Sequence, residues 1–363
     1  MDLTMSPALP GQVVLVLQGG GALGAYQVGV YEALHDSGIE PDWVIGTSIG
    51  AINAAVIAGN KPKDRLERLA ALWARLQQEP ELKALQLFST FAHGIPGFFS
   101  PRMPVLGGWQ AQVGLDAASY YSTGPLRETL ASLIDFDVLN KAQPRLTVGA
   151  VNVTSGNLRY FDSRDGALGL DEVMASAALP PGFPAVRLDG EAFWDGGLYS
   201  NTPLEAVLDD NPRRDAVIFS VNVWQPTGPE PKSIWQVMAR EKDIRYATRD
   251  DSHIARQQQL HRLRHVIREL EKKLPPEARN SAECRELASW GCGTTMHVVR
   301  LLAPALDGED FLKDIDFSAT SIRFRREAGL ADARRMIERA PWQAPANTIE
   351  GIIVHELSAR TGG

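Results

Sequence analysis

Residues 43–53 read Trp-Val-Ile-Gly-Thr-Ser-Ile-Gly-Ala-Ile-Asn, an apolar run followed by a serine between small residues. The apolar run predicts a buried strand, and the alanine-rich stretch after it predicts a helix. Between them, Gly46, Ser48 and Gly50 match the pattern Gly-x-Ser-x-Gly of a nucleophile elbow. In such an elbow a sharp turn pushes the serine hydroxyl clear of the backbone, so the flanking residues need almost no side chain. The pattern therefore predicts Ser48 as a candidate attacking nucleophile.

A second glycine-rich turn precedes the elbow. Residues 13–17 are apolar and rich in β-branched side chains, which predicts a buried parallel strand. The sequence Gly-Gly-Gly-Ala-Leu-Gly follows at 19–24, and residues 25–35 then show helical spacing of apolar side chains. Backbone N–H groups of such a turn, beside a helix N-terminus, can hold a phosphate or the oxyanion of a tetrahedral acyl intermediate.

The phosphate alternative has a specific form, because Gly19, Gly21 and Gly24 match the dinucleotide-binding fingerprint. That fingerprint expects an acidic residue at the end of the second strand, where it binds the ribose. Here the second strand ends in the Ser48 elbow, and Asp42 lies before the strand. The sequence therefore disfavours a nicotinamide or flavin site.

A candidate carboxylate lies far downstream. Asp195 follows two aromatic residues and precedes Gly196 and Gly197, which is typical of an acidic side chain at the end of a strand. The alternative is a plain Asp-Gly turn, the commonest use of that dipeptide. Taken alone, the segment favours the turn.

Taken together, these segments resemble the patatin-like phospholipase family. Residues 19–24 correspond to its glycine-rich oxyanion loop, 46–50 to its nucleophile elbow and 175–184 to its proline-rich block. Residues 195–197 resemble its Asp-Gly-[Gly/Ala] motif, and Asn201 follows as in many members. The order and spacing agree over roughly residues 11 to 225.

The resemblance implies a three-layer α/β/α fold with a mostly parallel central sheet. It also implies hydrolysis of lipid acyl esters by a Ser–Asp dyad without histidine, here Ser48 and Asp195. One departure stands out: many members have Arg or Lys where this chain has Leu23, so a contact to an anionic headgroup is missing there.

In this mechanism Ser48 attacks the ester carbonyl and Asp195 takes its proton. Aspartate is a weaker base than histidine, so backbone N–H groups must supply much of the rate by stabilising the oxyanion. We expect the donors to come from the glycine-rich loop and the residue after the nucleophile: Gly19, Gly20, Gly21, Ala22 and Ile49.

A Ser-Asp-His triad is the alternative, since an α/β-hydrolase triad runs in that chain order. The sequence predicts that the histidines downstream of Asp195 are structural or solvated, with the first three on the surface of a charged helix: His253, His261, His265, His297 and His355. A dyad should lose activity only as an Asp near pKa ~4 is protonated, and a triad should show a limb near ~6.5.

The composition limits the remaining classes. The 363 residues carry a formal net charge of −7, which argues against a nucleic-acid-binding protein. Residues 1–10 lack the basic and apolar regions of a signal peptide, and no stretch approaches 18 consecutive apolar residues. Cys284 and Cys292 lack zinc-site spacing and are predicted to be free thiols. We therefore expect a cytoplasmic enzyme that needs no metal or cofactor.

The segment 85–109 combines many large apolar residues with prolines and glycines that exclude a long helix. It is a candidate lid or acyl-chain groove, because a lipid substrate needs apolar walls. A loop packed into the core is an equally good interpretation.

The sequence predicts two units, a catalytic domain over 11–227 and a mainly helical C-terminal extension over 228–363 that packs on it. Within the extension, leucine and isoleucine side chains between 260 and 274 alternate at spacings of three and four, which indicates a packing face inside the molecule or a contact in a homo-oligomer. The opposite face is basic, which indicates a solvated face or peripheral contact with an anionic membrane or granule. The role of the extension does not follow from its sequence.

The sequence thus predicts a serine acyl hydrolase of the phospholipase A, lysophospholipase or esterase type, with a lipid or lipid-like ester as substrate. Hydrolysis of a storage polyester or a thioester by the same dyad is the nearest alternative. An acyltransferase would need a catalytic His and a carboxylate-binding Arg, which the sequence does not show in matching places. A non-catalytic lipid- or dinucleotide-binding module is the alternative from another class.

Overall fold

The computed structural model describes residues 9–78, 92–102, 112–141, 143–247, 249–306, 309–345, 347 and 349–357, without the side chains of 249–251. Its strands are β1 (Gln12–Leu17), β2 (Trp43–Gly46), β3 (Ser100–Pro101), β4 (Tyr121–Ser122), β5 (Arg145–Asn152), β6 (Leu158–Asp162), β7 (Val186–Leu188), β8 (Glu191–Asp195), β9 (Ala216–Asn222), β10 (Met296–Leu302) and β11 (Ile352–Glu356).

The helices are α1 (Ala25–Asp36), α2 (Ile49–Ala58), α3 (Pro62–Leu76), α4 (Gly124–Leu133), α5 (Phe136–Leu139), α6 (Leu170–Ser176), α7 (Glu205–Leu208), α8 (Ile234–Ala247), α9 (Arg249–Lys273), α10 (Pro276–Arg279), α11 (Ala282–Ala288) and α12 (Ala319–Arg339). Short 3₁₀ turns span Gly21–Gly24, Gly196–Leu198 and Pro341–Gln343.

The central sheet has the strand order β11-β10-β9-β1-β2-β5-β8-β7, and β6 also pairs with β5. The six strands from β11 to β5 run parallel, whereas β6 and β8 are antiparallel to β5 and β7 is antiparallel to β8. The carboxyl ends of β1 and β2 lie side by side, with Leu17 opposite Gly46. This arrangement places the glycine-rich turn after β1 beside the serine turn after β2.

Alternate residues of the central strands face two different apolar clusters. In β1, Val13, Leu15 and Leu17 face the larger cluster, which contains residues of α1, α2, α3 and α12. Val14 and Val16 face the smaller one, which contains residues of α7 and α9. Burial on both faces is what a continuous apolar strand predicts. The helices therefore form one layer on each side of the sheet, and the predicted three-layer α/β/α fold is confirmed.

The C-terminal extension is part of this architecture. Its strand β10 pairs in parallel with β9, and β11 pairs with β10, so the extension lengthens the central sheet. Helix α12 lies along α1, where the Tyr26 hydroxyl donates a hydrogen bond to Asp332 over 3.1 Å. The division at residue 227 stays a prediction, and the pairing of β10 with β9 crosses it.

The interpretation of the leucine-rich face of α9 as a packing face inside the molecule was wrong, and so was the prediction that His261 and His265 lie on the surface of the helix. Leu263 is 61% exposed and Leu270 is 57% exposed, whereas His261 and His265 on the other side are buried. The buried histidines find polar partners, since His265 Nε2 lies 2.8 Å from the carbonyl oxygen of Thr294. Helical spacing identified an apolar face correctly, but it did not tell which face the helix turns to the sheet.

Part of the candidate lid lies outside the described residues. Of the segment 85–109, only 92–102 is described, and there Ile95, Phe98 and Phe99 are buried. Residues 1–8, on which the signal-peptide prediction depended, also lie outside the described part.

Candidate active site

Ser48 sits on a sharp turn at the carboxyl edge of the sheet. Its backbone has φ 57° and ψ −126°, a conformation that non-glycine residues rarely adopt. Helix α2 begins at the next residue, and the Ser48 N–H donates to the carbonyl oxygen of Ser176 over 3.1 Å. A Cβ atom on Gly50 would lie 2.2 Å from the carbonyl oxygen of Leu17, so this flank of the turn requires glycine. The geometry is that of a strained strand–turn–helix elbow.

Asp195 ends β8 and is 1% exposed. Its Oδ1 accepts a hydrogen bond from the Gly197 N–H over 2.7 Å, and the 3₁₀ turn that contains Gly196 and Gly197 begins at the following residue. Burial raises the pKa of Asp195 to about 7, although the Gly197 N–H and the Ser48 hydroxyl lower the pKa in part. A carboxylate with a pKa near neutrality can both accept and return a proton.

The hydroxyl of Ser48 lies beside this carboxylate. It is close enough to lower the pKa of Asp195, whereas Oδ2 of Asp195 is buried and has no hydrogen-bond partner among the described residues. Catalytic hydrogen bonds are often long without substrate and shorten when it binds. The two residues that lie 147 positions apart in sequence therefore face each other across one site.

Two of the five predicted oxyanion donors, both in the glycine-rich loop, were predicted wrongly, because their N–H groups already donate hydrogen bonds within the protein. The Gly19 N–H donates to the carbonyl oxygen of Asn201 over 3.0 Å, and the Ala22 N–H donates to that of Asp314 over 2.8 Å. Both N–H groups are thus already occupied by backbone acceptors. We had not foreseen these contacts, because they join the loop to distant segments.

The other three candidate donors face the cavity. In the described part of the chain, the N–H groups of Gly20, Gly21 and Ile49 have no hydrogen-bond acceptor. Gly21 has φ +55°, a conformation that favours glycine, and all three residues line the same cavity as Ser48. They are therefore the amides that remain available for a substrate oxyanion.

Asn201 ties the loop to the segment after Asp195. Its Nδ2 donates to the carbonyl oxygen of Gly19 over 3.0 Å, so its side chain and its backbone both hold Gly19. The motif resemblance pointed to Asn201 as a supporting residue, and it contacts the glycine-rich loop directly.

Ser48 and Asp195 line a cavity of about 360 Å³. Most of its wall is apolar, and the proline-rich block 175–184 and the described part of the candidate lid both contribute to it: Ile52, Phe98, Phe99, Leu179, Phe183 and Phe317. An apolar wall beside a nucleophile suits an acyl chain. Leu23, by contrast, is buried in the core and does not line the cavity.

Several residues of the cavity wall were not predicted from the sequence. Trp224 follows the end of β9, and the carboxyl ends of parallel strands are where ligands bind in such sheets, so its position offered a signal. Tyr246, Asp314 and Ile315 also line the cavity, and they belong to the C-terminal extension. No local pattern in the sequence marked them.

None of the five histidines downstream of Asp195 is among the described residues that line the cavity. His297 and His355 instead stack on each other on β10 and β11.

Across the described ranges, no group of three or more His, Cys, Asp or Glu side chains could hold a metal ion. The described helices also include none that is long and apolar enough to cross a membrane.

Two family models match the chain. The model described as patatin-like phospholipase matches residues 15–208, and a second one described as patatin phospholipase matches residues 244–348. The first covers more than half of the chain and includes every segment that carried the resemblance.

Individual proteins are similar over shorter stretches. A protein of Pseudomonas aeruginosa named cGAMP-activated phospholipase is 30% identical over 210 residues, which are 54% of this chain and 55% of that protein. Lysophospholipase NTE1 of Yarrowia lipolytica is 26% identical over 216 residues, which are 59% of this chain and 13% of that protein. The chain thus spans about half of the first relative and a small part of the second.

Among solved structures, VipD from Legionella pneumophila aligns with a TM-score of 0.39 and 15% identity. The alignment covers 91% of this chain and 67% of that one.

Proposed function

Because the chain belongs to the patatin-like phospholipase family, we propose that it is a serine acyl hydrolase that cleaves carboxylic esters of lipids through an acyl-enzyme. One observation carries the proposal. The strained Ser48 and the buried Asp195 line one apolar cavity, beside backbone N–H groups for which the described part of the protein provides no acceptor.

In the first half-reaction the Ser48 Oγ attacks the ester carbonyl carbon while Asp195 accepts the hydroxyl proton. The tetrahedral intermediate collapses, the bond to the alcohol oxygen breaks, and Asp195 returns the proton to the leaving alcohol. In the second half-reaction water attacks the acyl-enzyme, again with Asp195 as base, and releases the fatty acid and free Ser48. The raised pKa of Asp195 supports this role, because the proton is then transferred both ways at little cost.

The oxyanion is stabilised by the N–H groups of Gly20 and Gly21 and by that of Ile49 at the start of α2. The dipole of α2 adds positive partial charge at the same point. Loss of one such donor typically costs about 3–4 kcal/mol of transition-state stabilisation. These donors supply the stabilisation that an aspartate base alone cannot.

A covalent probe tests the nucleophile. A fluorophosphonate should label the wild-type protein and should not label Ser48→Ala. Ser155→Ala, an exposed serine in the turn after β5, is the matched control and should label normally. A wild-type protein that resists labelling would leave a non-catalytic binding module as the better account.

A substrate panel separates the acyl hydrolases from one another. It should contain p-nitrophenyl esters of increasing chain length, a phospholipid, a lysophospholipid, a thioester and a hydroxybutyrate oligomer. We expect hydrolysis of lipid esters without added metal. Preference for the thioester or for the oligomer would favour the alternative substrates, and full loss of activity with EDTA would contradict a metal-free mechanism.

Contact with a lipid surface is supported by an apolar cluster at the start of α8. Ile234 is 75% exposed and Trp235 is 58% exposed, and Val237 and Met238 are exposed beside them. The same helix ends at the cavity, where Tyr246 lines the wall. We propose that this cluster inserts into the surface of the lipid substrate, as amphipathic interfacial helices do.

Vesicle sedimentation tests the contact. Trp235→Glu should weaken binding to phosphatidylcholine vesicles and leave the hydrolysis of a water-soluble ester unchanged. Trp290→Glu, at another exposed tryptophan that lies outside the cluster, is the control. Equal binding by the wild type and Trp235→Glu would refute the proposed surface.

A homo-oligomer built on the exposed leucines of α9 also stays a prediction, and sedimentation velocity would test it.

A further inference from the structure

The C-terminal extension holds one end of the glycine-rich loop. The carbonyl oxygen of Asp314 accepts the Ala22 N–H over 2.8 Å, and a Cβ atom on Gly21 would lie 2.1 Å from the same oxygen. The backbone of the extension thus presses directly against the loop, at the residue next to the free amides. Asp314 and Ile315 also line the cavity.

Two crossed ion pairs fix this contact. Lys242 Nζ lies 2.7 Å from Oδ1 and 2.9 Å from Oδ2 of Asp314, and it also donates to the carbonyl oxygen of Phe311. In the neighbouring pair the acidic residue belongs to α8 and the basic residue to the loop-contacting segment: Lys313 Nζ donates to Asp243 over 2.7 Å. Consecutive residues of α8 therefore pair with consecutive residues of the segment that touches the loop.

The other end of the loop is held at Gly19. The carbonyl oxygen of Gly19 accepts hydrogen bonds from Trp224 Nε1 over 2.7 Å and from Asn201 Nδ2 over 3.0 Å. The loop is anchored at Gly19 and at Ala22, and the amides of Gly20 and Gly21 lie between the anchors. Their direction is consequently set by both anchors together.

We propose that Lys242 and Asp314 form a positioning pair that sets the oxyanion loop. This inference rests on the proposed acyl hydrolase function and assigns to the extension a part in it. The Lys242 ammonium fixes the Asp314 peptide, the Asp314 carbonyl fixes Ala22, and Ala22 fixes the angle at which the neighbouring amides meet the oxyanion. Lys242 is not among the described residues that line the cavity, so it acts through Asp314 and Ala22.

The exposure of the pair separates this role from a general stabilising one. The Lys242 side chain is 27% exposed and that of Asp314 is 21% exposed, so the pair is partly solvated. Ion pairs that keep partial contact with water contribute less to folding than fully buried ones. A shift of the loop by a fraction of an ångström, however, misaligns donors whose effect depends on geometry. Loss of the pair should therefore act on the chemical step more than on the fold.

Kinetics of the full chain test the pair. With p-nitrophenyl butyrate, Lys242→Ala should lower kcat about tenfold with KM nearly unchanged. The rate of fluorophosphonate labelling should fall in parallel, since the phosphonyl oxygen occupies the same oxyanion site. Lys242→Arg should restore most of both rates. Glu241→Gln, which removes an exposed ion pair one residue away on the same helix, should behave as the wild type.

Asp314→Asn keeps the backbone carbonyl and the shape of the side chain, and it should reproduce the fall in kcat if Lys242→Ala does not fold. The inference is overturned if the folded variants keep wild-type kcat and labelling, or if the loss follows a lower Tm and Lys242→Arg does not restore it. A wild-type protein without any labelling would overturn the proposed function itself. Normal labelling of the wild type and of Lys242→Ala would overturn only this inference.

Discussion

At the scale of single residues, the ionisation of Asp195 should control the rate. Burial raises its pKa to about 7, and only the carboxylate can accept the Ser48 proton. We expect kcat/KM for a neutral ester to fall tenfold per pH unit below about 7 and to be constant above it. A pH–rate profile on the wild type measures this, and a flat profile down to pH 5 would contradict it.

This expectation replaces the one drawn from the sequence. An ordinary aspartate would lose its charge near pH ~4, so a limb near neutrality indicated a histidine. Because burial moves the aspartate pKa into the histidine range, the profile does not separate a dyad from a triad. The elbow pattern pointed to Ser48 and the family resemblance pointed to Asp195, but the sequence could not predict how deeply the fold would bury the carboxylate.

The same burial should cost stability. The folded-state pKa of Asp195 is raised, so the stability present below pH ~4 is lost as pH rises through about 7. Asp195→Asn removes the charge, and at pH 8 it should raise Tm by a few degrees while it abolishes activity. Thermal melts at pH 5 and pH 8 check this. A Tm below that of the wild type at pH 8 would show that the carboxylate stabilises the fold.

At the scale of elements, the elbow depends on the close approach of α2 to the end of β1. Gly50→Ala would place a methyl group 2.2 Å from the carbonyl oxygen of Leu17, and backbone cannot yield as a side chain does. We expect a loss of about 2–3 kcal/mol in the free energy of unfolding, together with loss of labelling. Urea unfolding measures it. Gly166→Ala, where a Cβ meets nothing within 4 Å, is the control and should be neutral.

The secondary-structure elements also show which features the sequence patterns predict and which they do not. The apolar runs of β1 and β2 predicted buried strands because burial on both faces leaves a continuous apolar pattern in the sequence. The leucine spacing of α9 predicted an apolar face, but the buried face is the one whose His265 finds a carbonyl acceptor. The spacing of apolar residues describes the faces of a single helix. Which face is buried depends on the other elements against which the helix packs.

At the scale of the whole molecule, the extension completes the sheet and the cavity. Strand β9 pairs with β10 along its length, and α1 packs against α12. A fragment that ends at residue 227 would expose an unpaired strand edge and a large apolar face. We expect it to aggregate or to melt without cooperativity, as circular dichroism would show. A cooperative melt and retained labelling would support an independent catalytic domain.

The long-range contacts also explain what the sequence left open. The hydrogen bond between Ala22 and Asp314 joins residues that lie far apart in the sequence, and neither segment contains a pattern that predicts the contact. Such contacts follow from the sheet order, in which the extension lies on the β9 side of β1. The sequence does not show that the N–H groups of Gly19 and Ala22 have backbone acceptors in the fold. Both were therefore predicted, wrongly, as oxyanion donors.

The central claim is that the Ser48 hydroxyl reacts under the free amides of the glycine-rich loop, with Asp195 as its base. A crystal structure of the fluorophosphonate adduct tests it most directly. The account predicts a phosphonyl group bonded to Ser48 Oγ, with its oxygen within hydrogen-bonding distance of the Gly20 and Gly21 N–H groups and Asp195 beside it. An adduct on another residue, or an oxygen turned away from those amides, would contradict it.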